Sequence, residues 1–246
     1  MTVLMSYKLG SSSAKSLAQE LGIRRVRHNG DFRNNYNHKI INWGCSTTPS
    51  FPHATMLNPS RAVALAANKY FTLRKLQEYG IPSLEYTLSP TEAYQYLEEG
   101  TVVYARKTLT GRSGQGIIVL QPGDDMIAAP LYTKMFDKTR EFRVHATKDV
   151  VFDYQAKLKR RGEEADDYVF SHDNGRVFCR TGIYLPHRVA QASVDCINAL
   201  GLDFGAVDIG IDAQGNVAVF EVNSAPALEG MTLKNYVDML TELLQY

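Results

Sequence analysis

The stretch 208–223, DIGIDAQGNVAVFEVN, limits the fold more than any other segment of the chain. Two apolar runs flank a turn at 213–216 that carries Gly215 and Asn216, which is the pattern of an antiparallel hairpin. With Asp212 set opposite Val217, Asp208 falls directly across from Glu221, and Asn223 lies on the same side two residues on. Like charges facing each other across a strand pair are destabilising. A divalent cation reverses that sign. Two carboxylates and an amide oxygen are hard oxygen ligands, and magnesium takes few protein ligands, filling its other positions with water and phosphate oxygens. Asp208, Glu221 and Asn223 are therefore candidate metal ligands. The competing arrangement is a register slipped by one residue, which sends both acids to solvent.

Upstream of the hairpin, apolar spacing predicts strands at 3–5, 40–43, 84–88, 102–107, 117–120, 129–135, 140–146 and 150–157. Helical spacing predicts a helix capped by Ser13 and ended by Gly22, a longer one over 60–79, and another over 187–200. A last helix carries Leu233, Val237, Leu240 and Leu244. Ser89-Pro90-Thr91-Glu92 combines an N-cap, a proline at the first helical position and a capping-box glutamate. The polar stretch 46–59 reads as a linker. Strands come in pairs rather than in regular βαβ alternation, so the class is α+β, with a small α/β lobe at the start.

Whole-chain properties exclude several classes. Net charge is +1 over 246 residues, so no global field points to nucleic acid or to a membrane surface. No apolar run approaches a membrane span, and the first residues, MTVLMSYKLG, lack the apolar core of a signal peptide. Cys45, Cys179 and Cys196 show no C-x-x-C spacing, and the six histidines never fall at i, i+4, which argues against a structural zinc site or a disulfide framework. A reducing, cytoplasmic setting is expected.

Three further segments bear on chemistry. In RKTLTGRSGQG, 106–116, Gly111, Gly114 and Gly116 make a loop whose backbone N–H groups can approach phosphates, with Lys107 at the end of the incoming strand placed to reach them. Strand, glycine loop, strand is the arrangement of a flap over a nucleotide, although an ordinary glycine-rich hairpin turn has the same pattern. In REFRVH, 140–145, alternation puts Glu141, Arg143 and His145 on one face with Phe142 and Val144 inward; His145 reads as a surface residue or as one lying behind the site. The run KLKRRGEEADD, 157–167, reads as a solvated loop, or as a lid over an anionic substrate to which Arg176 and Arg180 contribute.

Together these segments resemble the ATP-grasp superfamily, on the side of its RimK-like amino-acid and peptide ligases. The resemblance rests on Asn68-Lys69 with LQEYGIP at 76–82, on Arg106-Lys107 with the TGRSGQG loop, on EFRVH at 141–145, and on GLDFGAVD at 201–208 with VFEVNSAPALEG at 219–230. It spans about 58–246 and implies two α+β subdomains clasping ATP, divided at 59–129 and 130–246, after a first lobe at 1–58. Carried over residue by residue, it implies that Lys69 and Lys107 hold ATP phosphates under a loop containing Gly111, Ser113, Gly114 and Gly116. Lys134, Met135 and Phe136 would present backbone groups to adenine, and Asp208, Glu221 and Asn223 would bind magnesium or manganese. Ala206 stands where D-alanine–D-alanine ligases carry an arginine, and Ala227 where the family usually has glycine. Oxyanion stabilisation then falls to Arg143 and Arg180. The implied reaction activates a carboxylate as an acylphosphate and joins it to an amine of an amino acid, peptide or protein terminus. Phosphate transfer to a hydroxyl, and nucleotide binding without catalysis, are the alternative readings. A homodimer is common among such enzymes, and nucleic acid has only the basic run at 157–161 behind it.

Overall fold

Three sheets follow one another along the chain, and the helices that join them decide which faces are left open. The computed structural model describes residues 1–30, 32, 38–111, 115–160 and 175–245. The first lobe holds β1 (Thr2–Ser6), α1 (Ser12–Glu20), β2 (Arg24–Val26), β3 (Lys39–Trp43) and β4 (Thr55–Leu57), with strands parallel in the order β2-β1-β3-β4. The cap of α1 is Ser11, whose hydroxyl accepts from Ala14 N, rather than the expected Ser13. Ser13 instead accepts a hydrogen bond from Leu228 N at 3.0 Å, tying the lobe to the far end of the chain. The expected linker contains β4, a short edge strand without a clear alternation of its own.

Next come α2 (Ser60–Ala67), α3 (Lys69–Glu78), β5 (Tyr86–Thr87), α4 (Pro90–Glu98), β6 (Val103–Arg106), β7 (Ile117–Leu120) and β8 (Leu131–Lys134). The single helix expected over 60–79 is two. Asn68 between them is extended and caps α3, its side chain accepting from Phe71 N at 3.1 Å, so a local side-chain bond competes with the helix and wins. The cap of α4 forms as expected at Ser89. The four antiparallel strands run β5-β8-β6-β7, so β8 belongs to this sheet and carries it past the boundary expected at 129.

The last part holds β9 (Arg140–Thr147), β10 (Val151–Lys159), β11 (Arg176–Cys179), α5 (His187–Leu200), β12 (Phe204–Ile211), β13 (Val217–Asn223) and α6 (Gly230–Gln245). Its antiparallel sheet runs β11-β10-β9-β12-β13. One face, with Phe142, Val144, Val207, Ile209 and Val219, is fully buried against Val189, Cys196 and Ile197 of α5 and against Val63 and Leu76 of α2 and α3. α6 packs on α1, with Tyr236 of α6 joining Trp43 of the first lobe and Phe204 of β12 in one aromatic cluster. No helix among the described residues is long and apolar enough to cross a membrane.

The hairpin of β12 and β13 holds a correction. Ile211 pairs with Val217 and Ile209 with Val219, one step off the expected register. A β-bulge then inserts Phe220, and beyond it Asp208 does pair with Glu221. Without the bulge Asp208 would face Phe220, and Glu221 would turn into the core. The apolar spacing states this in advance: Val217, Val219 and Val222 are separated by two and then three, and only an extra residue keeps all three on the buried face.

Candidate active site

The other face of the five-stranded sheet is charged. Along one cross-strand row stand Gln155, Arg143, Asp208 and Glu221, in register on four neighbouring strands. Lys157 and Glu141 lie one row away, and Asn223 lies beyond Glu221 on the same face. These residues form one wall of a cleft of about 950 Å³. The other walls come from Lys69 at the start of α3, Tyr104 and Arg106 of β6, Gly111, and Phe136 after β8. Tyr7 and Gly44 close one end from the first lobe, where a Cβ on Gly44 would lie 2.7 Å from Ala225 Cβ. Gly210 is required as well: its bare backbone lets the Phe220 ring lie on the sheet, where an added Cβ would meet it at 2.4 Å.

Several charges in the cleft are paired. Arg143 Nε and Nη2 donate to the two oxygens of Asp208, each at 2.8 Å, and Lys157 Nζ lies 3.2 Å from Asp208 Oδ2. Lys157 also bonds Glu141, which stands 3.4 Å from Lys138 Nζ. Lys69 Nζ is 3.6 Å from Glu221 Oε2 and 3.4 Å from Gly111 O. Burial works to raise the Asp208 pKa, but Arg143 and Lys157 beside it hold the carboxyl well below the usual carboxylate range. Burial likewise pulls Arg143 and Lys157 down, and their acidic partners carry both above their ordinary values. Arg106, nearly sealed at 7% exposure, is lowered by burial, partly offset by Glu221. Among the described residues six cations line the cleft against four carboxylates, which favours an anionic occupant.

The repulsion between Asp208 and Glu221 is thus offset by side chains of the chain itself, where the hairpin alone suggested that only a cation could do so. The two carboxylates and the Asn223 amide still present hard oxygens on one face, and each Asp208 oxygen retains lone pairs beyond its bond to Arg143. The donor set fits a divalent cation.

Other expected site residues divide. Lys69, Gly111, Phe136 and Arg143 line the cleft. Lys107 does not: its Nζ donates to Ala128 O at 2.6 Å, outside the cleft. Alternation explains this, since Val103 and Ala105 face the core of their sheet while Tyr104 and Arg106 face the cleft, leaving Arg106 as the inward cation. Gly116, at φ +76, sits against Thr108 and is not part of the lining, and Ser113 and Gly114 lie outside the described residues. Lys134 N and Met135 N already donate to Glu85 O and Val102 O, at 2.9 and 2.8 Å, and the Lys134 amine pairs with Glu85. Arg180 is held by Asp153 and Thr232 and does not line the cleft among the described residues.

His145 is not at the surface. It is 1% exposed, with Nδ1 3.1 Å from the Tyr236 hydroxyl, and burial lowers its pKa to about 4. Lys157 heads the run expected to be a solvated loop or a lid but lies within β10, and Gln155 carried no signal of its own; alternation through 153–157 puts both on one face, where Gln155 pairs with Arg143. The acidic half of that run lies outside the described residues.

Solved structures of the same shape decide the fold. The ATP-grasp ligase PsnB, in complex with minimal precursor, Mg and ADP, superposes with a TM-score of 0.69 over 98% of this chain and 96% of its own at 15% identity. The D-alanyl-alanine synthetase A of Vibrio cholerae O1 biovar eltor gives 0.71 over 100% and 97%, at 13% identity. The chain has the ATP-grasp fold. Among curated proteins, a probable alpha-L-glutamate ligase of Haemophilus influenzae is 24% identical over 225 residues, covering 82% of this chain and 71% of the relative. One of Maridesulfovibrio salexigens with the same name is 26% identical over 223 residues, covering 84% and 72%. No family model matches the chain. Gly111 lines the same cleft as the charged sheet face, its carbonyl oxygen accepting from Lys69 Nζ.

Proposed function

We propose that this chain is an ATP-dependent ligase that activates a carboxylate as an acylphosphate and joins it to an amine. The observation that carries the reading is the row Arg143, Asp208, Glu221, with Asn223 beside it, in one cleft with Lys69 and Arg106, where cations outnumber carboxylates among the described residues. Such chemistry asks a protein mainly for positioning and charge neutralisation. Lys69 and Arg106 are the groups within reach of a nucleotide's phosphates, and Phe136 and Phe220, 6.0 Å apart edge to face, supply an apolar wall for a base. Asp208, Glu221 and Asn223 would hold magnesium, which when bound neutralises phosphate oxygens. Arg143 is the cation placed to stabilise charge developing on the transferred group.

The names of the relatives point to an amino acid or a peptide as the acceptor or donor. The test incubates the protein with magnesium-ATP and pooled amino acids and peptides, one carboxylate pool carrying oxygen-18, and reads products by mass spectrometry. Labelled oxygen in the released phosphate together with a new amide mass is the expected result. A phosphorylated product without an amide would move the protein to phosphate transfer onto a hydroxyl.

A further inference from the structure

The carboxylates suited to a metal are already held by cations suited to phosphate. Arg143 spans both oxygens of Asp208, Lys157 approaches one of them at 3.2 Å, and Lys69 lies 3.6 Å from Glu221. The Asp208 and Lys157 side chains are 7% and 8% exposed. In so buried a place, taking away one partner strands the other's charge, which is far more unfavourable than breaking a surface pair. Were a polyphosphate to bind alone, Arg143, Lys157 and Lys69 would turn to it and Asp208 would be stranded. Were a metal to bind alone, carboxylates already compensated would meet added positive charge. With both bound the charges would balance, Asp208 and Glu221 holding the metal and the cations the phosphates.

We infer that Arg143 and Lys157 are exchangeable counter-ions of Asp208, so that the site accepts metal and nucleotide as a pair and resists either one alone. This rests on the nucleotide-binding reading above. Glu141 makes the exchange workable for Lys157: it bonds Lys157 from the neighbouring strand, so the ammonium keeps an anionic partner when it leaves Asp208.

Calorimetric titration of the full chain with ADP, in EDTA and in magnesium chloride, tests the exchange. Wild type is expected to bind ADP about 100-fold more tightly with magnesium. Asp208→Asn removes the charge that holds Arg143 and Lys157. It should strengthen binding in EDTA by about 10-fold and reduce the advantage of magnesium to below about 10-fold. Binding in EDTA that is unchanged or weaker in Asp208→Asn overturns the inference. Should that variant fail to fold, thermal melting of the wild type decides. Magnesium alone and ADP in EDTA alone should each move Tm by less than about 1 °C, while the pair raises it by several degrees. A rise with magnesium alone equal to that of the pair overturns the inference. Absence of any ADP binding to wild type, with or without magnesium, overturns the ligase reading itself and the exchange with it.

Discussion

The two faces of the five-stranded sheet use the same strands for opposite ends. On the α5 face, Phe142, Val144, Val207, Ile209 and Val219 are sealed among apolar neighbours. On the cleft face, one residue away in β9 and β12 and across the bulge in β13, stand Glu141, Arg143, Asp208 and Glu221. The apolar face stabilises the fold through burial of hydrocarbon. The charged face contributes little net stability for its desolvation, yet fixes the position of every charge on it. A site that handles phosphate needs that fixed geometry, and the apolar face is what makes it tolerable.

The comparison can be broken from either side. The largest effect is expected on the cleft face: Glu221→Ala should lower magnesium-dependent ATP turnover by about 1000-fold, roughly 4 kcal/mol of transition-state stabilisation, with circular dichroism unchanged. Turnover at the wild-type rate would remove Glu221 from the metal site. On the apolar face, Ile209→Ala should destabilise by about 2–5 kcal/mol in urea unfolding while the turnover of folded molecules stays near wild type. Equal loss of turnover and stability would show that the faces are not separable.

Acid sharpens the contrast, because His145 sits on the polar side yet is packed like core. Its pKa falls from 6.5 unfolded to about 4 folded, so the unfolded chain binds the extra proton between those values. The stability His145 contributes is therefore whole above pH 6.5 and is lost as pH falls toward 4, by about 3 kcal/mol. Asp208, with its pKa depressed, adds a loss in the same direction only below its ordinary value of 3.8. Melting from pH 7 to 4.5 should show a drop in wild type that His145→Gln flattens; an equal drop in both would assign the acid sensitivity elsewhere. The smallest effects separate two adjacent cations. Arg106→Ala should weaken ADP binding by about 10-fold and Lys107→Ala by less than about 2-fold. The reverse order would mean that β6 presents Lys107 to the nucleotide.

Much of this molecule could be read from the chain alone wherever neighbours in sequence decide. Alternation in 140–145 separates Arg143 from Phe142, the Ser89 cap starts α4, and the stripe of α5 finds the sheet. The ATP-grasp motifs are local for the same reason: glycines and ligands lie on single strands and turns.

Other features depended on partners far along the chain. The break at Asn68 was local but lay between two good helices, and only the cleft shows its use, which is to bring Lys69 to Gly111 and Glu221. Choosing Arg106 over Lys107 required knowing which face of β6 meets the core. The pairing of Arg143 with Asp208 joins residues 65 apart, and no local pattern encodes a contact that exists only once β9 and β12 are side by side. The sequence thus determined which residues alternate, cap and turn, because those are short-range preferences of the backbone. The tertiary structure alone decided which charges meet, because in a buried site each charge is set by neighbours that the fold, and not the chain order, brings within a few ångströms.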